Sequence, residues 1–176
     1  MNLTAAGLLA QVISFAVFIT AAVWYAAPWM KPRPLEEALP VLLWVHAFRG
    51  VAMQIFSARK FGFAISVGLA RQIAWGDVVG AVLALAGLWL LRYRSRWARP
   101  LLWALVAETV IDLANGTVQG IHQHAFATAS AVSWVILNFY VPLLVVSLAL
   151  LIWQLVSRRG EDLVGVAPEA AMSGRG

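Results

Sequence analysis

Glu108, Asp112, Asn115, Gln119 and His122 follow one another at spacings of four, three, four and three. On an α-helix that spacing lines all five side chains along one narrow stripe. The segment that carries them, Pro100 to Ile121, is otherwise apolar and long enough to cross a bilayer. Ionisable groups at membrane depth are costly, so such a stripe is a functional-site candidate by default. A second apolar segment places His46, Gly50, Met53 and Ser57 on one helical face, with Arg49 on one edge and Gln54 on the other. An arginine near the bilayer centre costs about 3 kcal/mol on insertion scales and therefore needs a partner.

Counting residues inward from the start of each segment gives those partners. His46 and Glu108 fall at similar depth, Arg49 and Asp112 match one turn further out, and Gln54 and Ser57 match Asn115 and Gln119 beyond them. The two segments are thus expected to face each other across a polar seam, with Asp77 of the intervening segment close to its outer end. Three carboxyls against one guanidinium is an unfavourable balance, so at least one carboxyl is expected to hold its proton near neutral pH. A neutral carboxyl can give a proton and a histidine can take one, which is general acid/base chemistry. His46, Arg49, Glu108 and Asp112 are the candidate catalytic residues, with Arg49 orienting a carboxylate or stabilising developing negative charge. Met53, Gln54, Asp77, Asn115, Gln119, Trp134 and Asn138 are the candidate substrate contacts, and Trp44 and Phe48 are expected to help line the same apolar chamber.

This toolkit suits a lipophilic small molecule that is bound and transformed by proton transfer, as in isoprenoid or sterol-like isomerisation, cyclisation or hydration: a lipid-binding, isomerase-type protein. Two alternatives use the same residues. A proton relay or proton-coupled transporter would string them from face to face, although Leu101 to Leu105 make the inner end of that path dry. A non-catalytic accessory subunit would use the small-residue faces Gly76–Gly80–Ala84 and Gly116–Gly120 for docking, and the same faces could pair two copies of the chain. A metal is not expected. Neither His46 with Glu108 and Asp112 nor His122 with His124 has a specific ligand spacing, and Arg49 would oppose a cation at the first. No cofactor motif is present.

The chain that must position these groups has 176 residues, 62% hydrophobic and only 12% charged, with mean hydropathy +0.81. A soluble domain needs about twice that charged fraction. The absence of cysteine removes disulfides, thiolate catalysis and Cys-ligated metals. The formal charge of +5 sits mostly in short inter-helix segments, which encodes membrane topology and argues against a nucleic-acid partner. Five spanning helices are expected, at about 3–27, 39–57, 73–91, 100–121 and 128–156, forming one all-α polytopic bundle over 1–156. The first is read as a spanning helix and not a cleaved leader, because nothing basic precedes its long apolar run. Residues 61–72 read as a short interfacial piece. Residues 157–176 read as a disordered cytoplasmic tail. Lys31, Arg33, the Arg92–Arg99 run and the C-terminal arginines outnumber Arg59, Lys60 and Arg71, which favours the N-terminus outside and the C-terminus inside a cell inner (plasma) membrane. Membrane lipids are the immediate partners.

Overall fold

The computed structural model describes residues 2–129 and 131–161. All regular structure among them is helical, and five helices are long and apolar enough to cross a membrane. They are α1 (Leu3–Met30), α2 (Leu35–Lys60), α3 (Val67–Arg92), α4 (Ala98–His122) and α6 (Ala131–Ser157), with one short helix, α5 (Ala125–Thr128), before the last. Among the described residues the regular structure is thus all-helical, and its five long apolar helices suggest a multi-pass membrane protein.

Local sequence sets the ends. Asn2 caps α1 by accepting from the Ala5 amide at 2.8 Å, and Ser66 caps α3 by accepting from Leu69 at 3.1 Å. Glu36 and Glu37 occupy the first turn of α2, where the helix dipole favours acids. Pro28 and Pro142 lie inside spans and cannot donate to the helical ladder. In each case a π-helical turn, Ala22–Ala26 in α1 and Ile136–Tyr140 in α6, immediately precedes the proline-bearing segment and absorbs the mismatch.

The capped start of α3 changes one expectation. The third span begins at Val67 and not near 73, so residues 67–72 continue the helix and do not lie along the interface. Asp77 is therefore the eleventh residue of its helix, well in from its N-terminal end. The chain after α6 also differs from the disordered tail expected from residue 157. Ser157 closes the helix, and Arg158 to Glu161 fold back on the bundle. Glu161 accepts from the Leu35 amide at 2.9 Å and from Arg158 Nε at 2.6 Å, while Arg99 donates to the Glu161 carbonyl at 2.6 Å. The rest of the expected tail, 162–176, lies outside the described residues, as does Ser130.

The most consequential departure is inside α2. Its α-helix runs from Leu35 to Ala47, tightens to a 3₁₀ helix from Phe48 to Gln54, and relaxes again from Ile55 to Lys60. A 3₁₀ helix has three residues per turn, so side chains three apart eclipse. The inward row is accordingly Arg49, Ala52, Ile55 and Ala58, all buried. The expected row, His46–Gly50–Met53–Ser57, assumed 3.6 residues per turn. Met53, Gln54 and Ser57 are instead exposed, as are Trp44 and Phe48.

Helix α3 packs between α2 and α4, α6 packs against α2, and α1 lies at the periphery on α6. Two apolar clusters result. The larger joins Leu39, Leu42 and Leu43 of α2 to Leu102 and Leu105 of α4 and Leu151 and Leu155 of α6. The smaller joins Ile55 and Ala58 to Leu69, Ala70, Ala74 and Ala125. Between the two clusters lie Arg49 in α2 and Asp77 in α3, and in α4 Glu108 and Asp112 follow the residues of the larger cluster. Winding makes a sharp test. Ala52→Leu should overpack the inward row and lower the unfolding free energy by about 1–3 kcal/mol in a bicelle denaturation assay, while Met53→Leu should stay within about 0.5 kcal/mol. A regular α-helix through this segment would reverse that order.

Candidate functional site

Arg49 stands at the centre of the polar layer with none of its surface exposed. The 3₁₀ turn aims it across α3. Two glycines of that helix make the passage. A Cβ at position 80 would overlap the Arg49 guanidinium, and one at position 76 would overlap the Asp112 carboxylate. The Gly76–Gly80–Ala84 row, expected as a docking face between molecules, here gives room for a buried ion cluster.

A guanidinium has five N–H donors, and each has a partner. Arg49 Nε donates to Asp77 Oδ1 at 2.8 Å. Nη1 donates to Glu108 Oε2 at 2.8 Å and to Thr109 Oγ1 at 2.9 Å. Nη2 donates to Asp112 Oδ2 at 2.5 Å and to Glu108 Oε1 at 3.4 Å. The Thr109 hydroxyl in turn donates a hydrogen bond to Glu108 Oε2 at 3.2 Å. Three carboxylates from two helices thus close on one cation from a third. Charge-assisted bonds of this kind are the strong ones, and the planar fork of arginine is the side chain that can make them all at once.

Arg49, Glu108, Asp112 and Asp77 are therefore brought together, and Arg49 reaches both α4 carboxylates as the depth matching implied. Several of the other expected positions are not joined to them. His46 is fully buried but turns toward α6, where its Nε2 lies 3.3 Å from Ser147 Oγ; Nδ1 has no hydrogen-bond partner among the described residues. The expected His46–Glu108 pairing is not built: His46 faces α6, and Arg49 is the α2 residue that reaches Glu108. Asn115 and Gln119 are exposed on α4. The buried row of that helix runs through Leu102, Leu105 and Thr109 toward the cavity-lining Leu113 and Gly116. The polar stripe is offset from it by one residue at every turn, or about 100°. Glu108 and Asp112 lean across this offset to Arg49, and Asn115 and Gln119 lie beyond its reach. Asn138 is buried in the π-turn, donates to the Trp134 carbonyl at 2.9 Å, and faces Gly7 of α1. Trp134 packs against the smaller apolar cluster.

A cavity of about 370 Å³ opens on one side of the ion cluster. Leu8 of α1, Ile55 of α2, Leu69 and Ile73 of α3, Leu113 of α4, Leu137 of α6 and Phe126 of α5 form its apolar walls, and Gln11, Thr117 and Ser133 add uncharged polar side chains. Asp77 and Asp112 are its charged lining residues. Tyr140 also lines it, with its hydroxyl donating at 2.8 Å to the Val45 carbonyl, beside the junction where α2 changes winding. Thr109, Tyr140 and the wall residues were not among the expected site positions. Only the adjacency of Thr109 to Glu108, and of Tyr140 to Pro142, hints at them in sequence. Met53, Gln54, Asn115, Gln119, Trp134 and Asn138, expected as substrate contacts, do not line this cavity.

Removing one member of a buried ion network leaves the others uncompensated, so Arg49→Met should cost about 3–5 kcal/mol of unfolding free energy. The combined R49M/D77N/E108Q/D112N protein, with no buried charge left, should recover most of that loss in the same denaturation assay.

No curated protein and no solved structure matches this chain. A family model described as a domain of unknown function, DUF8737, matches residues 7–156. The match spans all of the first four helices but the first few residues of α1, and all but the last residue of α6, so the chain belongs to the DUF8737 family.

Proposed function

We propose that this protein is an intramembrane enzyme that binds a lipophilic small molecule in the chamber bounded by α1, α2, α3, α4 and α6 and transforms it by proton transfer. The observation that carries this reading is the chamber itself: an apolar enclosure whose charged lining residues are two carboxylates held by a buried guanidinium. Apolar walls with a few convergent polar groups are the usual make-up of a small-molecule site. Asp77 and Asp112 lie where a bound molecule would meet them, and they serve as acid and base. Glu108 and Thr109 hold the guanidinium from behind. Double-bond isomerisation, cyclisation or hydration of an isoprenoid or sterol-like compound fits groups that can only give or take protons. A localised chamber favours this reading over a proton relay, since the inner half of the bundle is filled by the leucine cluster.

The same proposal places the N-terminus outside and the C-terminus in the cytoplasm of the plasma membrane, on the basic-residue balance across the loops. The natural absence of cysteine makes this directly measurable. In intact cells a membrane-impermeant maleimide should label Phe61→Cys, in the loop between α2 and α3, and should label Tyr93→Cys, between α3 and α4, only after permeabilisation. Both native side chains are largely exposed, at 77% and 69%.

The chemistry is tested by two variants. A Cβ at Gly116, on the chamber wall, meets nothing within 4 Å. Gly116→Phe should therefore fill the chamber while keeping the fold, and should abolish turnover of a polyprenyl substrate in reconstituted vesicles. Asp112→Asn should lower kcat by about 100-fold or more, the usual scale for a general acid or base, with KM changed far less. Full activity in both variants would exclude this chamber as the reaction site.

A further inference from the structure

The chamber has a chemical polarity that the ion cluster imposes. All five guanidinium donors of Arg49 are taken by Asp77, Glu108, Thr109 and Asp112. Arg49 has no N–H left for an incoming carboxylate or phosphate, which overturns its expected role as the group that orients a substrate anion. The acceptors are in the opposite condition. Asp77 uses Oδ1 for Arg49 and Asp112 uses Oδ2. Among the described residues no donor reaches Asp77 Oδ2 or Asp112 Oδ1. Asp77 is only 7% exposed, and both residues line the chamber. The charge balance points the same way. One cation faces three carboxyl groups, so the cluster stays net negative even if one of the three is protonated. The Tyr140 hydroxyl, which also lines the chamber, donates to the Val45 carbonyl and can only accept.

Resting on the chamber reading above, we infer that the ligand is a lipophilic monocation: an apolar body of a size suited to about 370 Å³, ending in a protonated amine that sits between the unpartnered oxygens of Asp77 and Asp112. In an apolar enclosure an ammonium group supplies the donors these oxygens lack and offsets the surplus negative charge. An alcohol supplies one donor and no charge. A carboxylate supplies neither and is repelled.

Three probes with one apolar chain separate these cases: farnesylamine, farnesol and farnesoic acid. Each is titrated by calorimetry into the full-length protein in lipid nanodiscs, with the Gly116→Phe protein as the reference for partitioning into lipid. The expected result is saturable farnesylamine binding at least tenfold tighter than farnesol, with none for farnesoic acid. Asp77→Asn keeps an oxygen for Arg49 Nε and should bring amine and alcohol within threefold of each other. Farnesoic acid binding as tightly as the amine overturns the inference, as does an amine preference that survives both Asp77→Asn and Asp112→Asn. If all three probes bind alike and Gly116→Phe blocks them all, the cation preference fails and the chamber stands. If wild type and Gly116→Phe are indistinguishable with every probe, both fail. Should Asp77→Asn not fold, the order of the three probes on the wild-type protein decides.

Discussion

A single buried guanidinium organises this bundle. Arg49 has no exposed surface and lies in a helix long and apolar enough to cross a membrane, a setting in which an unpaired charge would be prohibitive. Its five donors dictate what surrounds it. Asp77 must come from α3, Glu108, Thr109 and Asp112 from α4, and α3 must carry glycine at 76 and 80 for the groups to meet. Helix α2 must present Arg49 at the correct angle, and there its winding tightens. A 3₁₀ stretch in mid-helix commonly marks a functional or strained place. In lipid such a departure is tolerated only where the backbone is buried in protein or lines a cavity. Here Ala52 and Ile55, within and just after the 3₁₀ segment, line the chamber, and Tyr140 satisfies the Val45 carbonyl at its start.

Such a cluster is weak evidence for stability. Three acids and a guanidinium taken out of water lose hydration that their mutual attraction need not return in full, and an apolar layer of equal volume could hold the helices together as well. Its position is more telling. It separates two apolar clusters and presents two of its carboxylates to a cavity. Helix glue needs no such opening. The carboxylates face the chamber and the guanidinium stands behind them, so the chamber has an acidic end and apolar walls. That asymmetry is the ground for proposing a lipophilic cation as the ligand.

The spans were legible because bilayer thickness sets a length and hydropathy marks it. The pairing of Arg49 with Glu108 and Asp112 was legible because two helices running in one direction place equal residue counts at equal depth. Asp77 lies deeper in its helix than the apolar run implies, because Ser66 caps α3 and the helix starts at Val67, six residues before that run. Hydrophobic periodicity assumes a winding, and the 3₁₀ segment changes it, so Ala52 and not Met53 faces inward on α2. Asn115 and Gln119 were drawn into the site because their spacing continues that of Glu108 and Asp112. A stripe shows which residues share a face, but not how far that face is rotated from the core. The glycines of α3 looked like a docking surface, since small residues have the same spacing whether they admit a helix or a guanidinium.

The most direct measurement is of Arg49 itself. Magic-angle-spinning NMR on protein reconstituted in lipid, with ¹⁵N-arginine and ¹³C-labelled aspartate and glutamate, reads both the motion of the guanidinium and its dipolar coupling to nearby carboxyl carbons. Arg49 should give rigid, slowly exchanging Nε and Nη signals coupled to carboxyl carbons of Asp77, Glu108 and Asp112, assigned by loss of each coupling in the matching amide variant. A motionally averaged guanidinium in fast exchange with water, without those couplings, would contradict the buried cluster and the acidic chamber built on it.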